Sequence, residues 1–247
     1  MRLAVLSDIH GNLNAFEEVL KDIDSSRIDK IFCLGDNIGY GPQPEEVVKL
    51  IQKRRIPSVM GNHEWGIFDK NKWDDFNPLA QKSLTITRQL ISAGTLQYSK
   101  TLKPFLIHDD CRFVHGCPPD LVFTYLYTLS LEQIHDLLLQ TRETFCFVGH
   151  THDLVYYQYD GYRTTRHSLG RDRINLNPDY RYLFNIGSVG QPRDGDDRAK
   201  YVILDTKAHA LEVRYITYDV AYTADRIIEL GFPELFARRL WGVKKQA

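Results

Sequence analysis

The chain has 247 residues, of which 43% are hydrophobic and 26% charged, a composition typical of globular proteins. Its formal net charge of −1 provides no overall field that would attract nucleic acid or an anionic membrane. No apolar stretch reaches the roughly 18 residues of a transmembrane helix, so no membrane span is predicted. The short apolar run at the N-terminus is not followed by a cleavage site of small residues, so we predict a cytoplasmic protein without a signal peptide.

Short apolar runs alternate with helical periodicity over the first 62 residues. The predicted strands are 2–7, 30–35 and 56–62, and the predicted helices are 12–24 and 44–54. The second helix opens on Pro44, with Glu45 and Glu46 in its first turn, as helix N-termini favour. The order strand, helix, strand, helix, strand predicts a parallel sheet with right-handed crossovers.

The rest of the chain changes from helical to strand-rich. Residues 64–103 are predicted to be helical, most clearly over 77–94, where the helix would end on Gly94. Further predicted elements are strands 111–116 and 144–150 around helix 129–140, a hairpin 154–167 turning at Asp160-Gly161, strands 182–188, 199–205 and 210–217, and helices 223–232 and 234–242. No repeat or linker interrupts these elements, so we predict one domain over 1–247. The four scattered cysteines are predicted to be buried free thiols.

Polar side chains with metal-binding chemistry follow the predicted strands. They are Asp8, His10, Asp36, Asn62, His63, His115, His150 and His152, and they include five of the nine histidines. Because the carboxyl ends of parallel strands lie along one edge of a sheet, we expect these residues to be close together. Any one of them alone could be an ordinary polar cap of a strand. Carboxylate, amide and imidazole together suit divalent transition metals such as Mn, Fe, Ni or Zn.

The ordered motifs DxH, GDxxxxG, GNHE, HG and GHTH, with NIGSVGQPRDGD near residue 190, resemble the calcineurin-like metallophosphoesterases. The resemblance covers most of the chain and is closest to the compact bacterial and archaeal phosphodiesterase-like branch. It implies an α/β fold of two facing mixed β-sheets flanked by helices, with a two-metal site at one edge. The residue patterns alone indicate only a parallel half and a strand-rich half.

The resemblance also implies a role for each candidate ligand. The first ion would be held by Asp8, His10 and His152, and the second by Asn62, His115 and His150. Asp36 would bridge the two ions, which is chemically reasonable because a carboxylate has two oxygens. A hydroxide that bridges the ions would attack phosphorus.

The two residues that follow Asn62 are not expected to be ligands. By the resemblance, His63 would be a catalytic residue, either an electrostatic stabiliser or a general acid for the leaving oxygen. The alternative is that His63 only orients Asp36 or a water molecule. Glu64 is predicted to start a helix rather than to take part in catalysis.

Phosphate recognition is less clear from the sequence. The phosphoprotein phosphatases of this superfamily have an arginine after Gly-Asp, whereas residues 37–42 include no basic residue here. This absence favours diesters, which carry one negative charge where monoesters carry up to two. Arg193 is a candidate substrate contact, with an exposed turn arginine as the alternative. The arginines of 163–173 would bind distal phosphates or only face solvent, and the aromatic residues of 117–127 would line the pocket or pack against a helix.

The sequence therefore predicts a dinuclear-metal-dependent phosphoesterase that hydrolyses phosphodiesters or nucleotides. Its partner would be a small phosphorylated substrate, with no membrane and no strong nucleic-acid signal. A phosphoprotein phosphatase and a dinucleoside polyphosphate hydrolase are the alternatives. A non-enzymatic scaffold on the same fold is disfavoured, because such scaffolds tend to lose ligand positions and this chain has the whole set.

Overall fold

The structure is a computed structural model that describes residues 1–242. Its described part contains two mixed β-sheets with helices on their outer faces. The strands are β1 (Arg2–Leu6), β2 (Lys30–Cys33), β3 (Phe105–His108), β4 (Cys111–Val114), β5 (Phe145–Val148), β6 (Leu154–Tyr159), β7 (Thr164–Ser168), β8 (Ile174–Asn175), β9 (Arg181–Ile186), β10 (Ala199–Asp205) and β11 (Ala210–Ile216). The helices are α1 (Leu13–Ser25), α2 (Pro44–Lys53), α3 (Asn62–Gly66), α4 (Lys70–Trp73), α5 (Pro78–Leu90), α6 (Ala93–Thr101), α7 (Leu131–Gln140), α8 (Val220–Glu229) and α9 (Glu234–Arg239).

The strand order is β2-β1-β10-β11-β8 in the first sheet and β3-β4-β5-β9-β6-β7 in the second. Strand β1 pairs in parallel with β2 and antiparallel with β10. Strand β5 pairs in parallel with both of its neighbours, β4 and β9. These pairings confirm the two mixed sheets flanked by helices that the resemblance implied.

Both faces of β1 and β5 are buried, which explains why β5 and all of β1 after Arg2 are continuously apolar. Along β1, Leu3 and Val5 belong to the core between the sheets, whereas Ala4 and Leu6 pack with α1 and α2. Along β5, Phe147 lies in the core between the sheets and Val148 packs with α7. Each central strand therefore holds an inner and an outer layer together, and its carboxyl end is fixed in position.

The predicted third strand, 56–62, is wrong as a regular strand. Ser58 and Val59 form only isolated parallel bridges, to Cys33 and Lys103. Pro57 has no N–H to donate, and α3 already begins at Asn62, so too few residues remain for a ladder.

The boundary predicted at Gly94 is also wrong. Helix α5 ends at Leu90, and the Ser92 hydroxyl caps a new helix by accepting a hydrogen bond from the Thr95 N–H at 3.2 Å. Gly94 therefore lies inside α6. The sequence does not predict the short strands β3 and β8. Strand β3 has four partly exposed residues and β8 has only two residues, so neither shows a clear periodicity.

Two other predictions, the turn of the hairpin and the state of the cysteines, are confirmed. The hairpin of β6 and β7 turns at Asp160, whose carboxylate accepts from the backbone N–H groups of Tyr162 and Arg163, each at 2.9 Å. All four cysteines are buried free thiols. Within residues 1–242, no helix is both long enough and apolar enough to cross a membrane.

Candidate active site

The candidate site is formed by loops that follow strands of both sheets. The residue pattern predicts that these loops follow strands of a single parallel sheet. In the structure, β1 and β2 belong to one sheet and β4 and β5 to the other. The loops are joined directly. The His10 N–H donates to the Asp36 carbonyl at 2.8 Å within the first sheet, and the His150 N–H donates to Asp8 Oδ2 at 3.0 Å between the sheets.

The backbone of these loops is held in an uncommon conformation. Five of the candidate residues have φ between 49° and 66°, namely Asp8, His10, Asp36, His150 and His152. Non-glycine residues rarely adopt this left-handed region, and such conformations persist only where the surroundings fix them. Strained residues of this kind cluster at functional sites, and here all five project into the same place.

The first cluster contains Asp8, His10 and His152, the three residues expected to hold one ion. Asp8 Oδ1 lies 3.1 Å from His152 Nε2 and 3.6 Å from His10 Nε2. The two Nε2 atoms are 3.1 Å apart. All three side chains are buried, so their ligand atoms converge on one small volume that could hold a metal ion.

The second cluster contains Asp36, Asn62, His115 and His150. His115 Nε2 is central to it, at 3.3 Å from Asp36 Oδ2, 2.9 Å from Asn62 Oδ1 and 3.1 Å from His150 Nδ1. Asp36 Oδ2 also lies 3.8 Å from His10 Nε2 of the first cluster. The carboxylate of Asp36 therefore stands between the two clusters, where a bridging ligand would be required.

The hydrogen bonds of the imidazole rings fix which nitrogen can bind a metal. The Nδ1 atoms of His10, His115 and His152 face the carbonyl oxygens of Ile38, Leu34 and Gln191, at 3.1, 2.8 and 2.5 Å. A carbonyl oxygen only accepts, so each Nδ1 carries the proton and, in the neutral ring, Nε2 offers its lone pair. Nitrogen lone pairs that face one another across about 3 Å fit a shared cation, and carbonyl partners of this kind commonly orient metal-bound histidines.

The electrostatics of the pocket also favour positive charge. Burial raises the pKa of Asp8 and of Asp36, but the neighbouring His152 and His115 outweigh it and hold both carboxyl pKa values below the usual range. Burial lowers the pKa of His115, yet Asp36 and Asp8 raise it to about 9. Two buried carboxylates thus stabilise positive charge on His115, within the second cluster.

Glu64 supports the loop that carries Asp36. Its buried carboxylate accepts hydrogen bonds from the backbone N–H groups of Asp36 (2.9 Å), Asn37 (2.6 Å) and Gly61 (2.9 Å). Because Glu64 lies in the first turn of α3 and accepts from the Gly61 N–H that precedes the helix, its predicted role at the start of a helix agrees with these contacts. Its effect on the site is to position Asp36.

His63 lies beside Asp36, as expected from its place after Asn62. Its N–H donates to Asp36 Oδ1 at 2.9 Å, and its Nε2 lies 3.9 Å from Asp36 Oδ2. The ring packs edge-on against Tyr40, with ring centroids 4.4 Å apart. Its buried Nδ1 has no hydrogen-bond partner among the described residues.

The sequence leaves two alternatives for the aromatic residues of 117–127 and for the arginines of 163–173, and the structure distinguishes between them. Tyr125 stacks on His150 at 3.9 Å and Tyr127 stacks on Tyr125 at 5.1 Å, so these two tyrosines line the site. Phe123 instead packs near Trp65, at 5.9 Å. The four arginines of 163–173 are all exposed, and Arg171 is 3.5 Å from Asp196.

Arg193 follows β9 and is half-buried at the rim, where its positive charge lowers the pKa of His152 in addition to the larger effect of burial. Arg239, at the end of α9, lies over the ring of Phe236, which packs against Tyr40. Burial raises the pKa of Tyr40, and the charges of Arg193 and Arg239 act in the opposite direction. Sequence reasoning missed Arg239. The segment "ELFARR" has an ordinary amphipathic pattern, and nothing in it indicates which arginine faces the site.

Comparisons with known proteins agree with this geometry. Residues 1–209 match the model of the calcineurin-like phosphoesterase superfamily domain. The uncharacterized protein MJ0912 of Methanocaldococcus jannaschii is 35% identical over 249 residues, and the alignment covers 97% of each chain.

Two solved structures share the fold over nearly their full length. The crystal structure of a metallophosphoesterase from Sphaerobacter thermophilus has 36% identity and a TM-score of 0.82, covering 98% of this chain and 99% of that one. The structure of the hypothetical protein PH1004 from Pyrococcus horikoshii has 18% identity and a TM-score of 0.79 over the same shares, a likeness of fold alone. The chain therefore belongs to the calcineurin-like phosphoesterase superfamily.

Proposed function

We propose that this chain is a phosphoesterase that uses two divalent transition-metal ions to hydrolyse phosphodiesters or nucleotides. The first ion is assigned to Asp8, His10 and His152, the second to Asn62, His115 and His150, with Asp36 shared between them. The observation that carries the proposal is the position of Asp36 Oδ2, 3.8 Å from His10 Nε2 and 3.3 Å from His115 Nε2. One carboxylate that serves two clusters of imidazole nitrogens is the arrangement that a two-metal site requires.

The chemistry divides between the ions and the side chains. When bound, two divalent ions supply Lewis-acid activation of water and neutralise the charge of a phosphoryl group. Asp36 would supply a ligand to both ions, and the carbonyl partners of His10, His115 and His152 keep the ring nitrogens correctly oriented. We assign His63 to stabilising charge near the reacting group, because its ring lies beside Asp36 without being required as a ligand.

Diesters are the favoured substrates in this proposal. Residues 37–42, which follow Gly35-Asp36, contain no basic side chain that would neutralise the second charge of a monoester. A dinucleoside polyphosphate hydrolase is the second candidate. Its support is the exposed stack of Tyr125 and Tyr127 on His150, which offers an aromatic surface to a nucleobase.

The test is a substitution of the shared ligand with a matched control. In Asp36→Asn, loss of the negative charge between two dications should lower metal content below the two ions per chain proposed for the wild type. It should also reduce hydrolysis of a nitrophenyl diester by at least ~10²-fold, the range seen when a group that stabilises transition-state charge is removed. Asp225→Asn makes the same chemical change at an exposed position of α8 and should leave both values unchanged.

Metal content would be measured by atomic emission, and rates would be compared for a nitrophenyl diester and the corresponding monoester. Full activity of Asp36→Asn after chelation, without added metal, would contradict the two-metal proposal. A strong monoester preference in the wild type would contradict only the diester assignment and would favour a phosphatase.

A further inference from the structure

Two arginines from distant parts of the chain lie near Tyr40 at the rim of the candidate site, close enough for both charges to act on its hydroxyl. Arg193 follows β9, and Arg239 is the last residue of α9. Helix α9 is docked through Phe236, whose ring lies 4.4 Å from that of Tyr40. Tyr40 in turn contacts His10, at 4.5 Å. The C-terminal end of α9 is thereby held next to the residues assigned to the first ion.

The loop that carries Arg193 lies against the residues that follow α9. A Cβ built on Gly242 would lie 2.9 Å from the Gly195 carbonyl oxygen, so the two backbones are in contact. Arg239 also lies over the ring of Phe236, with its guanidinium carbon 5.7 Å from the ring centroid. This stacking limits the directions in which the Arg239 side chain can extend.

Neither guanidinium group forms a salt bridge with a carboxylate among residues 1–242, and the charge of Arg193 acts on Arg239. The acidic residues nearest in sequence to Arg193 are engaged elsewhere: Asp194 pairs with Lys200 at 2.8 Å, and Asp196 pairs with Arg198. The buried Nε of Arg193 has no hydrogen-bond partner in the described chain. Burial lowers the pKa of Arg239, and the nearby charge of Arg193 lowers it further.

Like charges held close together in a partly buried position are unfavourable unless an anion lies between them. Guanidinium groups match the geometry of phosphate oxygens and donate two parallel hydrogen bonds to them. The position of the pair beside a candidate phosphoesterase site indicates which anion the structure accommodates.

We propose that Arg193 and Arg239 together bind phosphoryl oxygens of the substrate. Helix α9 would then contribute a substrate-binding residue from outside residues 1–209, the part that matches the superfamily domain. The inference rests on the proposed phosphoesterase function for the identity of the anion. The oxygens could belong to the reacting phosphoryl group or to a neighbouring phosphate of a polyphosphate, which present the same chemistry.

Binding of inorganic pyrophosphate to the manganese-loaded protein tests the site without requiring turnover. Arg239→Gln should weaken pyrophosphate binding about 10-fold or more, because a hydrogen bond to a charged group contributes roughly 1.5–3 kcal/mol. Arg238→Gln removes the same charge from the exposed neighbouring position of α9 and should bind as the wild type does. Arg239→Lys should recover part of the affinity through its remaining charge.

Calorimetric titration measures the affinities, and thermal unfolding confirms that the glutamine variants are equally folded. Equal pyrophosphate affinity in Arg239→Gln and Arg238→Gln would overturn the inference, whatever the activity. If Arg239→Gln alone loses affinity but the wild type hydrolyses no phosphate ester, the anion site is supported and the phosphoesterase proposal fails.

Kinetics then distinguish the two sources of phosphate. An equal loss of kcat/KM in Arg239→Gln on a bis-nitrophenyl diester and on a dinucleoside tetraphosphate would support contact with the reacting phosphoryl group. A loss confined to the tetraphosphate would support contact with a neighbouring phosphate. No loss on either substrate, relative to Arg238→Gln, would overturn binding of substrate by Arg239.

Discussion

His63 is packed among three aromatic rings. Its ring lies 4.4 Å from Tyr40, 4.9 Å from His10 and 5.2 Å from Phe76. Burial lowers the pKa of His63 to about 4, although Asp36 acts in the opposite direction. The imidazole is therefore neutral near pH 7, which favours a hydrogen-bonding, charge-stabilising role over that of a general acid.

Substitution of His63 by Asn separates these two roles. A general acid matters most for poor leaving groups and contributes about 10²–10⁴-fold, whereas a hydrogen bond to the phosphoryl group acts on every ester. We expect His63→Asn to slow a nitrophenyl diester and a nucleoside ester by similar factors, within about threefold of one another and each on the order of 10²-fold. Steady-state rates at matched metal content provide the measurement.

The control for His63→Asn is His135→Asn, a change in α7 away from the site. A loss confined to the nucleoside ester would show that His63 donates a proton after all. Loss of metal in His63→Asn would instead assign the residue to support of Asp36, whose Oδ1 accepts from the His63 backbone N–H.

Helices α8 and α9 pack around Tyr40 beside the site, although they are distant from its motifs in sequence. Phe236 is buried in a cluster with Tyr40, Val220 and Ile227. Truncation of a buried phenylalanine to alanine typically costs about 3–5 kcal/mol, because it removes apolar contacts and leaves a cavity. We expect Phe236→Ala to lower the free energy of unfolding by about 3 kcal/mol and to raise KM, since Tyr40 and Arg239 lose their support.

Urea denaturation and substrate saturation would check this prediction, with Leu235→Ala as the control. Leu235 precedes Phe236 in the same helix but is 37% exposed, so its truncation should cost much less. Equal stability of the two variants would show that α9 is not docked through Phe236.

The sequence predicts helices and turns correctly where the hydrophobic periodicity is long and where residues typical of helix starts or turns mark the ends. Helix α2 begins at Pro44 as predicted, and the turn of the β6–β7 hairpin falls at Asp160. The segment 56–62 has the composition of a strand, but Pro57 and the start of α3 at Asn62 leave it only isolated bridges. The periodicity of 77–94 predicts one helix, whereas Ser92 separates α5 from α6 by capping the second of them.

The candidate site was predictable to the extent that each polar residue directly follows an apolar strand. Asp8, Asp36, His115 and His150 all satisfy this condition and are brought together. The pattern could not show that two sheets contribute, because alternation along a strand does not identify its neighbours. Arg239 was unpredictable for a similar reason: its proximity to Arg193 depends on the docking of α9, which is a property of tertiary packing.

A polar contact on the outer face of the first sheet joins α1, near the start of the chain, to β10 and β11. Asp22 of α1 accepts hydrogen bonds from the Tyr201 hydroxyl of β10 at 2.5 Å and from the guanidinium of Arg214 of β11 at 2.8 and 3.1 Å. Asp22 is 179 positions from Tyr201 and 192 positions from Arg214 in the sequence. The contact therefore helps to hold α1 against strands formed much later in the chain.

This contact should make stability depend on pH in a defined direction. Burial raises the pKa of Asp22, but the hydrogen bonds from Arg214 and Tyr201 outweigh it and lower the pKa below the ordinary 3.8. A carboxyl whose pKa is lowered by folding stabilises the native state above its unfolded pKa, and this stabilisation disappears as pH falls through the lower, folded value. We expect Asp22→Asn to be less stable than the wild type by about 1 kcal/mol at pH 7, a modest value because the pair is partly exposed to solvent.

The difference between Asp22→Asn and the wild type should begin to shrink as pH falls below 3.8, where the unfolded carboxyl becomes protonated, and should vanish only below the lower folded pKa, where the native carboxyl is protonated as well. Urea denaturation at pH 7 and at a series of acidic pH values measures it, with chelator present throughout so that release of metal by acid does not contribute. Asp225→Asn, which changes an exposed carboxyl in α8, controls for the general loss of negative charge. A difference that stays constant from pH 7 into the acidic range would show that Asp22 acts through packing or neutral hydrogen bonds, and not through the charge that Arg214 stabilises.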